Sequence, residues 1–361
     1  MGGCGVIEIV PRKSTGWHTQ VAAYIVALVL GFATSALLIK AGGASVAEGF
    51  GALYEGAFGS WEAVLQSLVA ATPLIFTGLA TVIAFRAEIW SIGQEGQMFA
   101  GAMCGYWVSL YLGGAPLLLA VPIIIFAAMI GGAFLGGFCG WLKTQFQVNE
   151  IISTVMLNYV IIYLLSYLLA GGPWTEEGST SYHQTPVLAD NFHLPLLVDG
   201  VKLHLGFILA LVAAAICWVI LKKTPLGFEI RALGFNPTAL RFKGVNVTRT
   251  VLVVMGLSGA LSAMAGVSEI FGVNYRLRGD VMVGLGFTGI IVGMIGGLNP
   301  IGAVIAALLF GALANGSLYM SVLSDIPPSL VPAMQGILLL FFLSASVLVR
   351  YSIRIKRFTH V

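Results

Sequence analysis

Leu205-Gly206-Phe207-Ile208-Leu209-Ala210-Leu211-Val212-Ala213-Ala214-Ala215-Ile216-Cys217-Trp218-Val219-Ile220-Leu221 contains no charge, and Lys222-Lys223-Thr224-Pro225 follows at once. A helix of about 20 apolar residues crosses the hydrocarbon of a bilayer, and cations at its end mark the cytoplasmic side. The run is continuous rather than alternating with period two, which selects a helix over a barrel strand. The whole chain fits this reading. It has 361 residues, 58% hydrophobic and 9% charged, whereas soluble domains carry about 25% charged residues. So little charge cannot cover a soluble surface, and in lipid every backbone polar group must be satisfied within the chain.

Outward from that run, nine more apolar stretches read as spans: 20–39, 61–85, 93–112, 116–142, 151–170, 250–270, 281–297, 302–319 and 329–349. The first is too long for a signal-peptide core of about 7–15 residues. The stretch 281–297 is short and rich in glycine, so a broken or re-entrant helix is expected there. With the N-terminus inside, 14 of the 18 Lys and Arg residues fall in inner segments, and only Lys40, Lys202, Arg276 and Arg278 fall outside. Glu48, Glu55, Glu62, Glu176, Glu177, Asp190, Asp199 and Asp325 all fall outside. The skew places both termini inside by the positive-inside rule. The expected fold is therefore all-α: one polytopic domain over 1–361 with roughly ten transmembrane helices, an outer loop at 171–204 and an inner loop at 222–249.

Several chemistries are excluded or weakened. No lysine is preceded by glycine, so the phosphate loop of an ATPase is absent. Gly256-Leu257-Ser258-Gly259 has the pattern of an intramembrane serine protease, but the only histidine beyond it is His360, and such a serine needs a base within reach. His183, His193 and His204 do not have metal-ligand spacing. Cys104, Cys139 and Cys217 read as apolar filler and Cys4 as a tail residue. No metal site or nucleic-acid partner is expected. Gly132, Gly136 and Gly140, and Gly293 with Gly297, recur at a spacing that lets helices approach closely in lipid.

The inner loop is the most informative segment. Pro225 to Leu233 reads as one short helix stopped by Gly234. Asn236 as N-cap, Pro237 at the first helical position and Gly244 at the end define a second. A helix this short is marginal alone in water. Leu240 and Phe242 have no obvious place to bury in this chain, which suits docking into a partner's groove. Ala232, Gly234, Asn236, Ala239 and Gly244, with Val245, resemble the coupling loop of permeases from ATP-binding-cassette importers of sugars, nucleosides and branched-chain amino acids. The resemblance implies that this loop, including Glu229, Arg231, Leu240 and Phe242, contacts a cytoplasmic ATPase subunit.

Three further stretches resemble the nucleoside branch: Ile92-Gly93-Gln94-Glu95-Gly96-Gln97-Met98, Asn149-Glu150-Ile151-Ile152-Ser153-Thr154-Val155-Met156-Leu157-Asn158-Tyr159, and Gly286-Phe287-Thr288-Gly289-Ile290 with Asn299-Pro300 and Gly302. The resemblance implies a permease subunit of the bacterial inner membrane that translocates nucleosides by alternating access. Its implied partners are the ATPase, which holds ATP and Mg, a second permease, homologous or identical, and a substrate-binding lipoprotein or periplasmic protein. Physically, a carboxylate at mid-bilayer is costly and faces a partner or a watery cavity. Glu95, flanked by Gln94 and Gln97, is a candidate for the substrate path together with Asn158 and Thr288. The glycine-rich turns before Gln97 and at 284–289 hold comparable places in the two halves, as in an inverted repeat with broken helices. A permease for simple sugars or another polar solute remains the alternative. An ion-coupled secondary transporter would need more intramembrane ionisable groups than Glu95, Glu269 and Asp280 supply.

Overall fold

A computed structural model describes residues 5–11, 17–41, 43, 45–176, 178, 183–280, 282–323 and 330–357. Cys4, Arg12, Lys13, Glu177, Asp325, His360 and the first residues of the expected spans at Val281 and Ser329 lie outside the described residues. The chain packs as two compact units, Met1–Gly56 with Gly316–Val361, and Ala57–Asn315.

In the first unit α1 (Trp17–Ala41) packs on α13 (Leu330–Arg350). Tyr24 and Phe342 stack at 5.9 Å between ring centroids. The strands β1 (Gly5–Pro11) and β2 (Tyr351–Arg357) pair antiparallel, with Ile7 opposite Ile355 and Glu8 opposite Arg354. The two ends of the chain therefore meet beside one end of the α1–α13 pair. A further helix, α2 (Val46–Phe58), was not expected. It buries Gly49, Ala52, Leu53 and Gly56, an i, i+3, i+4, i+7 stripe, while Glu48 and Glu55 remain exposed.

The second unit holds α3 (Trp61–Arg86), α4 (Gln94–Ser109), α5 (Leu117–Phe146), α6 (Glu150–Leu169), α7 (Leu205–Lys223), α8 (Pro225–Phe235), α9 (Pro237–Phe242), α10 (Val247–Glu269), α11 (Leu285–Ile295) and most of α12 (Pro300–Leu323). Seven helices among the described residues are long and apolar enough to cross a membrane, and shorter apolar helices stand beside them, in keeping with an expected count of roughly ten that includes broken ones. At 1.5 Å per residue α4 reaches only about 24 Å and α11 about 17 Å, both short of the roughly 30 Å hydrocarbon. Each is preceded by non-helical chain, at 87–93 and at 275–280 with 282–284. The expected break in 281–297 is present, and the stretch 93–112 is a second broken helix rather than a full span.

The halves α3–α4–α5 and α10–α11–α12 share this long–short–long order, and their packing is exchanged. Both α4 and α5 pack on α10, while α11 packs on α3. A Cβ at Gly311 of α12 would lie 2.6 Å from the Ala71 backbone of α3, and Asn315 Nδ2 donates to the Ala63 carbonyl at 3.1 Å. The α5–α10 contact is set by glycine, as its spacing suggested. A Cβ at Gly132 would lie 2.3 Å from the Gly259 carbonyl, and one at Gly136 would lie 2.2 Å from the Met255 carbonyl. Gly293 likewise packs on Thr81 and Gly78, but Gly297 is a turn residue with φ of +66° and nothing near its Cβ position. Ser258, from the protease-like pattern, donates to the Ala80 carbonyl at 3.0 Å and ties α10 to α3.

The loop 171–204 is built onto the segment after α10. The amides of Thr185, Leu188 and Leu194 donate to the carbonyls of Leu277, Tyr275 and Phe271, and Arg276 pairs with Glu176 at 3.4 Å. His193 stacks on Tyr275 at 3.9 Å. His204 is buried and caps α7, its Nδ1 accepting from the Gly206 amide at 3.0 Å.

Candidate functional site

The broken helices α4 and α11 meet at their N-termini. Glu95, in the first turn of α4, is 1% exposed. Its Oε2 accepts from the Gly286 amide at 2.7 Å and its Oε1 from the Gly284 amide at 2.5 Å. The first amides of a helix lack intrahelical partners and carry partial positive charge. One carboxylate therefore serves two helix N-termini, its own and that of α11. The approach requires glycine, since a Cβ at Gly286 would lie 2.4 Å from the Glu95 amide nitrogen.

Asn158 of α6 holds the extended chain that leads into α4. Its Oδ1 accepts from the Gly96 amide at 2.8 Å and its Nδ2 donates to the Ile92 carbonyl at 2.7 Å. Thr154, one turn earlier, accepts from the Ile92 amide at 3.1 Å. Gln94 Nε2 donates to Thr81 Oγ1 at 3.3 Å. Gln97 is fully buried beside Gly93 and Gly136, and its amide oxygen and nitrogen have no hydrogen-bond partner among the described residues; the same holds for Ser91 Oγ, Gln94 Oε1 and Ser262 Oγ. Buried polar atoms are nearly always paired, so this concentration sets the core around α4 apart. Thr288 is half-buried on α11 and donates to the Gly284 carbonyl at 2.9 Å.

Of the residues expected on a path, Gln94, Glu95, Gln97 and Asn158 thus form one buried layer, and Thr288 lies a turn along the helix that Glu95 caps. Thr81 and Thr154 belong to this layer and were missed. Threonine in an apolar helix ordinarily bonds the carbonyl four residues back, and these do, to Thr77 at 3.0 Å and Glu150 at 2.6 Å, so nothing in the sequence separates them from routine threonines.

The opposite kind of surface lies at the end of the unit where α8 and α9 sit. Side chains cap these helices and the start of α10; the Asn236 cap and the left-handed Gly244 are those the sequence suggested, and the Thr224 and Asn246 caps are additional. Thr224 accepts from the Gly227 amide, Asn236 from Ala239 and Asn246 from Arg249, and Gly244 has φ of +79°. Phe235 and Phe242 are 90% and 89% exposed. Leu240, however, is 2% exposed and packs into the core. The expectation that it lacks a burial site in this chain is corrected: in so short a helix one face still reaches the bundle. Gly234 is helical rather than left-handed. Its role is close approach, with a Cβ position 2.7 Å from the Arg86 carbonyl. Glu229 accepts from Thr250 Oγ1 at 3.4 Å, which ties α8 to α10. Phe228, Arg231, Phe235, Asn236, Ala239 and Lys243 line an open groove of about 400 Å³. Arg86, Lys143, Lys222, Arg231 and Arg241 gather at this same end, as their assignment to inner segments implied.

The profile of the family described as "Branched-chain amino acid transport system / permease component" matches residues 63–343. The chain belongs to this family. The matched stretch contains both broken helices and both short helices α8 and α9. Among curated relatives of this permease family, the guanosine ABC transporter permease protein NupP of Bacillus subtilis is 36% identical over 89% of this chain and 92% of its own. The nucleoside ABC transporter permease protein NupB of Lactococcus lactis is 31% identical over 89% of this chain and 90% of its own. The glucose ABC transporter permease protein TsgB13 of Haloferax volcanii is 29% identical over 97% of this chain and 94% of its own. The chain is a membrane-embedded transport subunit.

Proposed function

We propose that this permease passes nucleosides across the bacterial cytoplasmic membrane as one half of an ATP-driven importer, with both termini inside. The observation that carries the substrate class is the 36% identity to a guanosine permease across 89% of the chain. A separate ATP-binding subunit docks on α8 and α9 and holds ATP and Mg²⁺, so this chain needs no nucleotide site of its own. A second permease, homologous or identical, completes the pathway. A binding lipoprotein or periplasmic protein delivers the substrate to the end that carries the loop 171–204. The 361 residues act together as a single permease domain.

Nucleosides are neutral and present ribose hydroxyls and base edges. Neutral amides and hydroxyls, such as those of Gln94, Gln97, Asn158 and Thr288, match that chemistry without the cost of a buried charge. In this reading Glu95 acts through backbone, holding α11 to α4 while the broken helices turn as a body during alternating access.

The test is uptake into proteoliposomes that contain this chain, the ATPase, the second permease and the binding protein. Labelled guanosine should accumulate only with ATP. Accumulation of glucose and not guanosine would favour the sugar reading, which the relative named for glucose supports. Uptake driven by an ion gradient without ATP would overturn both.

A further inference from the structure

Beside the coupling groove, and sharing Arg231 with it, lies a second cavity of about 270 Å³, lined by Arg86, Leu221, Lys222, Arg231, Asn299 and Pro300. Its three cations come from three different elements, the C-terminal ends of α3 and α7 and the middle of α8. None of the lining residues is a carboxylate. Neither Lys222 nor Arg231 makes an ion pair among the described residues. Arg86 Nε donates to the Leu298 carbonyl at 2.7 Å, which fixes its guanidinium at the cavity. The remaining wall is the start of α12, where Asn299 Oδ1 accepts from the Ile301 amide at 3.3 Å, and a helix start adds partial positive charge. Lys222 and Arg231 line one concave space from two different helices, and an anion placed there would be attracted to both.

Deeper along the flanking helices the side chains are apolar and exposed: Leu211, Ile216 and Val219 on α7, and Ile301 and Ile305 on α12. A soluble anion would use only the cations. A molecule with an anionic head and acyl chains would use both surfaces. We propose that this cavity binds the phosphate group of an anionic phospholipid from the leaflet on the coupling side, a mode in which basic pockets between membrane helices hold lipid headgroups.

The full chain, purified in mild detergent and exposed to equal amounts of phosphatidylglycerol and phosphatidylcholine, would be examined by native mass spectrometry. Phosphatidylglycerol should be retained in preference. Lys222→Gln and Arg231→Gln should each weaken that retention about fivefold, while Lys223→Gln, outside the lining, should not. Unchanged melting temperatures would show that the variants are folded. Equal retention of both lipids, or parental retention by both lining variants, would overturn the proposal. A parallel arm follows protection of Lys222 from an amine-reactive reagent. Phosphatidylglycerol should protect it and inorganic phosphate alone should not. Protection by inorganic phosphate with none by the lipid would assign the cavity to a soluble anion and overturn the lipid assignment.

Discussion

Glu95 Oε2 and the Gly286 amide are 2.7 Å apart across 191 residues of sequence, and through that bond two helices too short to span the bilayer share one carboxylate. Charged hydrogen bonds contribute about 1.5–3 kcal/mol each, and an amide left unpaired in a buried site costs a similar amount. Glu95→Ala is therefore expected to lower stability by roughly 3 kcal/mol or more and to abolish uptake. Glu95→Gln turns one acceptor into a donor that faces an amide, and it should destabilise nearly as much. Thermal unfolding in detergent checks both. If Glu95→Gln melts with the parent, the carboxylate is not what joins α4 to α11.

Asn158 makes two bonds to the extended chain before α4. Asn158→Ala leaves the Gly96 amide and the Ile92 carbonyl unpaired, at about 1–3 kcal/mol for each buried group. Uptake should fall while assembly with the ATPase and its basal hydrolysis persist. Normal uptake at normal expression would remove Asn158 from the path.

The two apolar residues of α9 are predicted to behave in opposite ways. Phe242 is 89% exposed and Leu240 is 2% exposed. Phe242→Asp should leave the bundle folded and lose co-purification of the ATPase, because a partner groove that takes the ring would have to desolvate a charge. Leu240→Asp should destabilise the chain itself, since burying an unpaired charge costs several kcal/mol. Co-purification alongside a melting curve separates the two outcomes.

Gly244 has φ of +79°, a conformation that a β-branched residue resists. Gly244→Val should loosen the end of α9 and uncouple ATP hydrolysis from uptake without unfolding the membrane helices. Parental coupling in both Gly244→Val and Phe242→Asp would mean that this loop does not transmit the stroke.

His204 should make stability depend on pH. Burial holds its imidazole at a pKa of about 4, below the usual value near 6.5, and the neutral ring caps α7 through Nδ1. Between those values the unfolded chain binds the proton and the folded chain does not, so stability falls as pH drops from about 6.5 toward 4. The loss approaches about 3 kcal/mol at the lower limit. His204→Asn keeps a capping oxygen and does not titrate, so its melting temperature should be flatter over that range. Parallel pH curves for parent and variant would exclude His204 as the source.

The membrane helices were legible because apolar runs and flanking cations are local signals, and the ends of α9 were legible because Asn236 and Gly244 act within one turn. The stripe Gly49, Ala52 and Leu53 of α2 was also present, but its glycine and alanine carry little apolar weight. The alternation of Ile353 and Ile355 with Ser352, Arg354 and Lys356 could have signalled β2, although its partner lies at the other end of the sequence. What was not legible is the exchange of packing between the halves. Glu95 looks the same in sequence whether it faces a cavity or two distant amides, and its partners Gly284 and Gly286 are set by which helix α11 leans against. Leu240 was misread for a related reason: the hydrophobic pattern of a six-residue helix does not reveal which side the bundle occupies.

Phe235 and Phe242 remain nearly bare on the folded chain, and this bears on how the subunit has to be made. A copy synthesised in excess of its ATPase offers two aromatic rings to anything in the aqueous phase, including other surplus copies. Yield should then follow gene dosage: matched expression of both subunits gives monodisperse material, and overproduction of the permease alone gives oligomers that added ATPase disperses.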